Sequence, residues 1–180
     1  FRVLGATDTV NQFLRKAEIN WIAQYEPQVF SKMHKCLLLS GYLTHRLTGQ
    51  FRDAVAAQVG YIPFDFRHQA WARSWDWKWH ALRVSRDQLP DLVPAGGILG
   101  HITAVTSAET GIPEGLPLLS AGADKACEVL GSGCLDPHMG ALSFGTTATI
   151  NTIRRNYVEV TPLLPPYPAP VPGHYCTEVQ

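Results

Sequence analysis

The sequence predicts an α/β protein. Three observations carry that prediction. Apolar residues recur at three- and four-residue spacing through roughly the first 50 residues. A strand–helix–strand alternation begins at Leu116, and two strand-like pieces flank a Gly-Thr-Thr turn at 145–147. Helical periodicity followed by alternation fits helices packed on a sheet better than a bundle or a sandwich. At 180 residues, 46% hydrophobic and 17% charged, the chain is long and apolar enough for one good core or two small ones.

The elements follow in order. NQFLRKAEINWIAQYEP (11–27) is expected as one helix, with Phe13, Leu14, Ala17, Trp21 and Ile22 on one face and Pro27 after its end. QVFSKMHKCLLL and SGYLTHRLTG continue the helical pattern, and Gly49 is the expected C-cap. FRDAVAAQVGYIPFDF reads as a turn with a short strand around Val59, Tyr61 and Ile62. Next come Trp71, Trp75, Trp77 and Trp79. The spacing of four among Trp71, Trp75 and Trp79 predicts one helical face on a core, with Trp77 elsewhere. With Arg73, Lys78 and His80 nearby, the same cluster is also one that stacks on bases or sugar rings.

From Leu89 the texture changes. LPDLVPAGGILGHIT is expected as loop and short strand. AVTSAETGIPEG is a short helix closed by Gly111, with a Pro-Glu-Gly turn behind it. LPLLSAGA is a buried strand, DKACEVLGSG a helix closed by glycines, and GALSFGTTATINTI a strand broken at Gly145. The six prolines of TPLLPPYPAPVPG predict an extended loop.

Composition excludes several classes. The formal charge is zero, which argues against bulk electrostatic capture of nucleic acid or a membrane surface. No apolar run approaches ~20 residues. Cys36, Cys127, Cys134 and Cys176 are irregularly spaced without a C-x-x-C, which points to free thiols in a reducing, cytoplasmic compartment. His34 lies near Cys36, but no second pair completes a metal site, so no metal ligand is assigned. The chain does not begin with Met or a signal peptide and ends without a stop signal, so it is expected to be a piece of a longer protein.

The candidate chemistry sits where LPLLSAGA runs out. Ligands of open α/β sheets bind beyond the carboxyl ends of strands, and Asp124 is at such an end. It also opens a helix, where a carboxylate can cap free N–H groups, and on spacing alone both readings stand. Ala121, Gly122 and Ala123 are small enough to let a ligand approach the backbone. A carboxylate there suits phosphoryl transfer, because the base mainly orients a hydroxyl and takes its proton late. Lys125 is placed to contact substrate, to steady that carboxylate, or to point into solvent. Asp124 and Glu128 share a helical face, but nothing else supports paired-carboxylate glycosidase chemistry. The second candidate is SFGTTATI: a tight turn at Gly145 offers N–H groups, and the hydroxyls of Thr146 and Thr147 lie beside it, an arrangement that cradles phosphate. A plain hairpin turn is the other reading. Neither G-x-x-x-x-G-K-[ST] nor G-x-G-x-x-G occurs.

Taken together, FSKMHKCLLLSGYLTHRLTGQF, the ETGIPEGLPLLSAGADKACEVLGSG segment and LSFGTTAT, in this order, resemble the middle of the FGGY carbohydrate kinases, the group of xylulokinase and glycerol kinase. The resemblance runs from about Trp21 to Thr152. It implies an actin-like (ribonuclease H-like) fold, with residues 1–137 ending a first domain and 138–180 beginning a second. It implies ATP-dependent phosphorylation of a sugar or polyol hydroxyl, ATP and Mg2+ as cofactors, and Asp124 as the catalytic base. Substrate contacts fall on Asp124 and Lys125, and nucleotide contacts on Gly145, Thr146 and Thr147. The implied partner is a small sugar or polyol, with no nucleic acid and no membrane, and a homodimer is compatible with it.

Two departures stand out. The family often carries Asn or Gln after the catalytic aspartate; here Lys125 stands there, which opens the way to a negatively charged substrate. The family often has Lys three residues before the first-helix tryptophan; here it is Glu18. A non-catalytic carbohydrate-binding relative, or an inert portion of a kinase, is the alternative. The isolated chain is expected to be inactive, because the family's phosphate loop belongs before it and the adenosine-binding half after it.

Overall fold

A computed structural model of the chain describes residues 7–160 and 164–179. The helical part comes first. α1 (Thr7–Lys16) has Asp8 in its first turn and Arg15 and Lys16 in its last, matching the helix dipole. α2 (Glu18–Tyr25) does not continue it. Ala17, with φ −70° and ψ 114°, is extended and separates the two. The expected single helix is therefore two, and the break tucks Ala17 into the interior, where it is only 3% exposed. Pro27 follows the end of α2, past the C-cap residue Glu26, as expected. It also opens α3 (Pro27–Phe30), where its missing N–H costs nothing. The helical reading of 28–39 fails after that single turn, and the chain runs irregularly to α4 (Leu39–Thr48). There the pattern holds: Gly49 caps at φ 73° and donates its N–H to the His45 carbonyl at 2.8 Å.

A small parallel pair follows. β1 (Arg52–Ala54) pairs with β4 (Asp91–Val93), Arg52 opposite Asp91. Between them stand the hairpin β2 (Phe64–Asp65) and β3 (Ala70–Trp71), and α5 (Lys78–Ala81). Val59, Tyr61 and Ile62 lie outside any strand. The tryptophans share no helical face. Trp71 is in β3 and donates its indole N–H to the Pro90 carbonyl at 2.8 Å. Trp79 donates to the Ala72 carbonyl at 3.1 Å, and Trp75 is 74% exposed. Trp77, expected elsewhere, meets Phe13 of α1 edge to face at 5.0 Å.

β5 (Ile98–His101) pairs antiparallel with β6 (Pro117–Leu119), and α6 (Ala104–Thr110) joins them. Thr103 caps α6 by accepting the Thr106 N–H, and Gly111 ends it at φ 78°. β6 is not the buried strand expected. It has β5 as its strand partner, and Leu116 and Leu119 are 48% and 58% exposed.

α7 (Asp124–Gly131) leads to a four-stranded sheet in the order β7 (Ala141–Phe144), β8 (Ala148–Arg154), β10 (Tyr175–Val179), β9 (Tyr167–Pro168). Antiparallel β7 and β8 are the strand broken at Gly145. The proline-rich segment is not wholly loop, since Tyr167 and Pro168 pair with Cys176 and Tyr175; its residues 161–163 lie outside the described residues. Val129 and Cys134, in and just after α7, meet Ile153, Ala169 and Cys176 of the sheet region in one buried cluster. All four cysteines are free. Among the described residues no helix is long and apolar enough to cross a membrane.

Candidate active site

Two strand ends converge where α7 begins. Beyond β1, Ala56 bridges Gly122 in parallel, and the Ala123 N–H donates to the Ala56 carbonyl at 2.8 Å. Ser120 ties this end down further, its hydroxyl donating to the Val93 carbonyl at 2.9 Å. The small residue at 122 serves this packing rather than an approaching ligand. A Cβ there would come within 3.2 Å of the Ala56 Cβ and 3.3 Å of the Pro170 Cβ.

Asp124 is the first residue of α7 and is exposed. The N-cap position belongs to Ala123, so Asp124 does not cap in the expected manner. Its Oδ1 accepts the next N–H, that of Lys125, at 2.6 Å. The carboxylate thus satisfies one orphan donor of the helix start and faces solvent.

Lys125 neither steadies that carboxylate by a direct bond nor points freely into water. Its Nζ donates to Glu128 Oε2 at 2.7 Å and to Ser143 Oγ of β7 at 3.2 Å. The bond to Glu128 pushes the ammonium pKa upward, with the negative charges of Glu128, Glu178 and Asp124 adding to it. Glu128 is thereby paired with a cation. Ser143 lies two residues before Gly145, so this one ammonium joins the helix that carries Asp124 to the hairpin that carries the Gly-Thr-Thr turn. Sequence reasoning does not find the bridge, because 125 and 143 share no motif.

The turn is an exposed hairpin tip. The Gly145 N–H is already used, donating to the Thr147 carbonyl at 3.1 Å. A Cβ at Gly145 would meet only that carbonyl oxygen, at 3.9 Å, so the tip is open to a closely approaching group. Its threonine hydroxyls, beside the open Gly145, are donors of the kind a phosphate accepts. Magnesium is different: among the described residues no three His, Cys, Asp or Glu side chains are grouped to hold an ion.

A second acid, absent from the sequence reading, is buried on β1, the strand whose continuation at Ala56 bridges Gly122. Asp53 on β1 is 1% exposed. Its Oδ1 accepts from the Ala54 N–H at 2.8 Å and its Oδ2 from the Ser40 hydroxyl at 3.0 Å. Gln58, equally buried, donates to the Ala54 carbonyl at 3.0 Å. Polar residues inside the apolar run RDAVAAQ are the only trace of this network in the sequence. Burial pushes the Asp53 carboxyl pKa up, against the hydrogen bonds from Gln58, Ser40 and the backbone. A carboxyl raised on folding contributes stability at acid pH and loses it as pH rises through its folded pKa. Asp53→Asn keeps the shape and an acceptor for Ala54. The variant is expected to equal or exceed the parent in stability at neutral pH, with the difference shifting toward the parent in acid. Urea unfolding at both pH values measures this. A variant weakened equally at both would show that burial of the charge is not what matters.

The profile of the FGGY family of carbohydrate kinases, N-terminal domain, matches residues 7–131. An uncharacterised sugar kinase of Escherichia coli K12, YgcE, is 40% identical over 112 residues, 59% of this chain and 22% of the relative. The xylulose kinase of the same organism is 28% identical over 139 residues, 77% of this chain and 28% of the relative. The ligand-bound xylulose kinase structure from Lactobacillus acidophilus superposes with a TM-score of 0.78 at 20% identity, covering 98% of this chain and 38% of that one. The chain thus spans about a quarter of these curated relatives, 22% and 28% of their lengths.

Proposed function

The chain belongs to the FGGY family of carbohydrate kinases, and from that premise we propose that it is the middle part of an ATP-dependent sugar or polyol kinase with Asp124 as the general base. In this reading the fold is actin-like, residues 1–137 close the first domain and 138–180 open the second. The observation that carries the proposal is the Lys125 bridge, 3.2 Å from Nζ to Ser143 Oγ. It supports an acceptor carboxylate and a phosphate-binding turn working at one edge of the molecule, as phosphoryl transfer needs.

Asp124 holds the acceptor hydroxyl and takes its proton as the phosphoryl group is transferred. The Thr146 and Thr147 hydroxyls hold the nucleotide phosphates, and Gly145, lacking a side chain, lets them approach the tip. ATP with its magnesium, when bound, supplies the phosphoryl group and neutralises its charge. The magnesium ligands are not assigned to this chain. Lys125 has three ammonium protons and two protein partners, which leaves one donor for the substrate. That favours a substrate with an electron-rich group, such as a hydroxyl or carboxylate, beside the phosphorylated position.

The test is a panel of ketoses, aldoses, polyols and sugar acids assayed with ATP on the full-length protein that carries these residues. ATP-dependent turnover of one class is the expected result. Binding of a sugar by calorimetry with no turnover of any would favour a non-catalytic carbohydrate-binding relative.

A further inference from the structure

A second concave site lies at the other end of β8. The strand runs from Ala148, next to the Gly-Thr-Thr turn, to Arg154. Seven residues of strand separate the two ends by roughly 20 Å. At the Arg154 end is an open pocket of about 670 Å³. Three separate stretches build it: the connection between α7 and β7, the residues leaving β8, and the turn before β10.

Its polar lining is cationic or neutral: His138, Arg154, Arg155, Asn156 and His174, with no carboxylate among the lining residues. Leu135, Ile153 and Val158 form apolar wall. The acids that flank these stretches are held by hydrogen bonds of their own. Asp136 accepts the His138 N–H at 2.8 Å, and Glu159 accepts the Tyr157 hydroxyl. Two arginines therefore line a pocket whose lining holds no carboxylate. Such an arrangement is unfavourable by itself and is relieved by an anion.

The donors are prepared for one. The His174 Nδ1 lies 2.9 Å from the Pro172 carbonyl, to which it must donate. Its Nε2 is then the acceptor for the Arg155 Nε–H, at 3.4 Å. This holds the guanidinium by one edge and leaves its terminal nitrogens without a protein partner among the described residues. The Nε of Arg154 is buried with no hydrogen-bond partner, while its Nη2 reaches the Thr152 hydroxyl at 3.3 Å. A buried donor left unpaired is costly, and a ligand oxygen would satisfy it. Forked guanidinium donors match tetrahedral oxyanions, and the apolar wall accommodates an organic body.

We infer that the pocket formed by His138, Arg154, Arg155, Asn156 and His174 binds a phosphate group, as free phosphate or as a phosphate ester. It is separate from the transfer site and sits where the proposed two domains join. A ligand there bridges residues on both sides of that junction.

The experiment is a titration of the chain with inorganic phosphate at constant ionic strength, followed by two-dimensional amide NMR. A parallel arm uses glucose 6-phosphate, and chloride and acetate serve as controls. Saturable shifts confined to 135–138, 153–156 and 173–175 are expected. Tighter binding of the ester than of free phosphate identifies the ester as the ligand form, and the reverse identifies free phosphate. Arg155→Gln is expected to weaken binding about tenfold, the loss of one charge-assisted contact. Arg155 is exposed, so this variant is expected to fold, and Arg154→Gln is the second variant. Shifts that do not saturate, that chloride or acetate reproduces, or that survive unchanged in both variants would overturn the inference. Binding at the proposed transfer site would instead shift residues 124–125 and 145–147, so the two readings are distinguishable in the same spectra.

Discussion

Asp124→Asn is expected to lower phosphorylation about 10²–10⁴-fold, the span of general-base contributions, while the fold persists. Both halves of that expectation come from where Asp124 stands. It is the exposed first residue of α7, and its hydrogen bond in the structure is with the Lys125 amide at 2.6 Å. Asparagine keeps a carbonyl oxygen at that place. The stability change is the lost interaction between a carboxylate and a helix N-terminus, about 0.3–1 kcal/mol. Asparagine does not accept the proton of a sugar hydroxyl, so in the proposed mechanism the transfer step loses its base. The measurement is turnover with ATP and the best substrate of the panel, beside a thermal melt of the same preparation. Near-parental turnover would remove Asp124 from the mechanism, and loss of turnover together with unfolding would leave it a structural residue only.

This division between fold and chemistry also separates what the sequence discloses from what it hides. Helix ends set by a left-handed glycine were legible: Gly49 and Gly111 sit at φ 73° and 78°, where the sequence put the ends of α4 and α6. So was the hairpin around Gly145. The break at Ala17 was not, because alanine favours helix and only burial against the rest of the protein makes the kink worthwhile. The tryptophan spacing misled for a related reason. What fixes Trp71 is the Pro90 carbonyl, 19 residues away, and local periodicity carries no information about such a bond. In the candidate site, Asp124 and the turn were visible as types of residue at types of element. The Lys125–Ser143 bridge and the buried Asp53 were not, since each depends on which distant segments meet.

Ile153→Ala is expected to cost about 2–5 kcal/mol of stability, the range for removing a large aliphatic side chain from a packed interior. Ile153 is 1% exposed and stands opposite Cys176 on β10. Its neighbours in the buried cluster are Val129, on the inner face of α7, and Cys134, just beyond that helix. The cluster is therefore what seats α7 on the four-stranded sheet. A cavity there does more than subtract burial energy. It loosens the helix that presents Asp124, and the Lys125 bond to Ser143 depends on that seat. Against a typical total of about 5–15 kcal/mol, the loss is a large fraction of the whole. Urea unfolding should show a lower midpoint with an unchanged slope. Turnover measured well below the new melting point should fall as well, because Asp124, the proposed base, is no longer held beside the hairpin. Reduced stability with full turnover would mean that α7 is positioned from the Ala56–Gly122 side alone. A cost under about 1 kcal/mol would mean that the cluster closes around the deletion, contrary to the partial relaxation usual in such interiors.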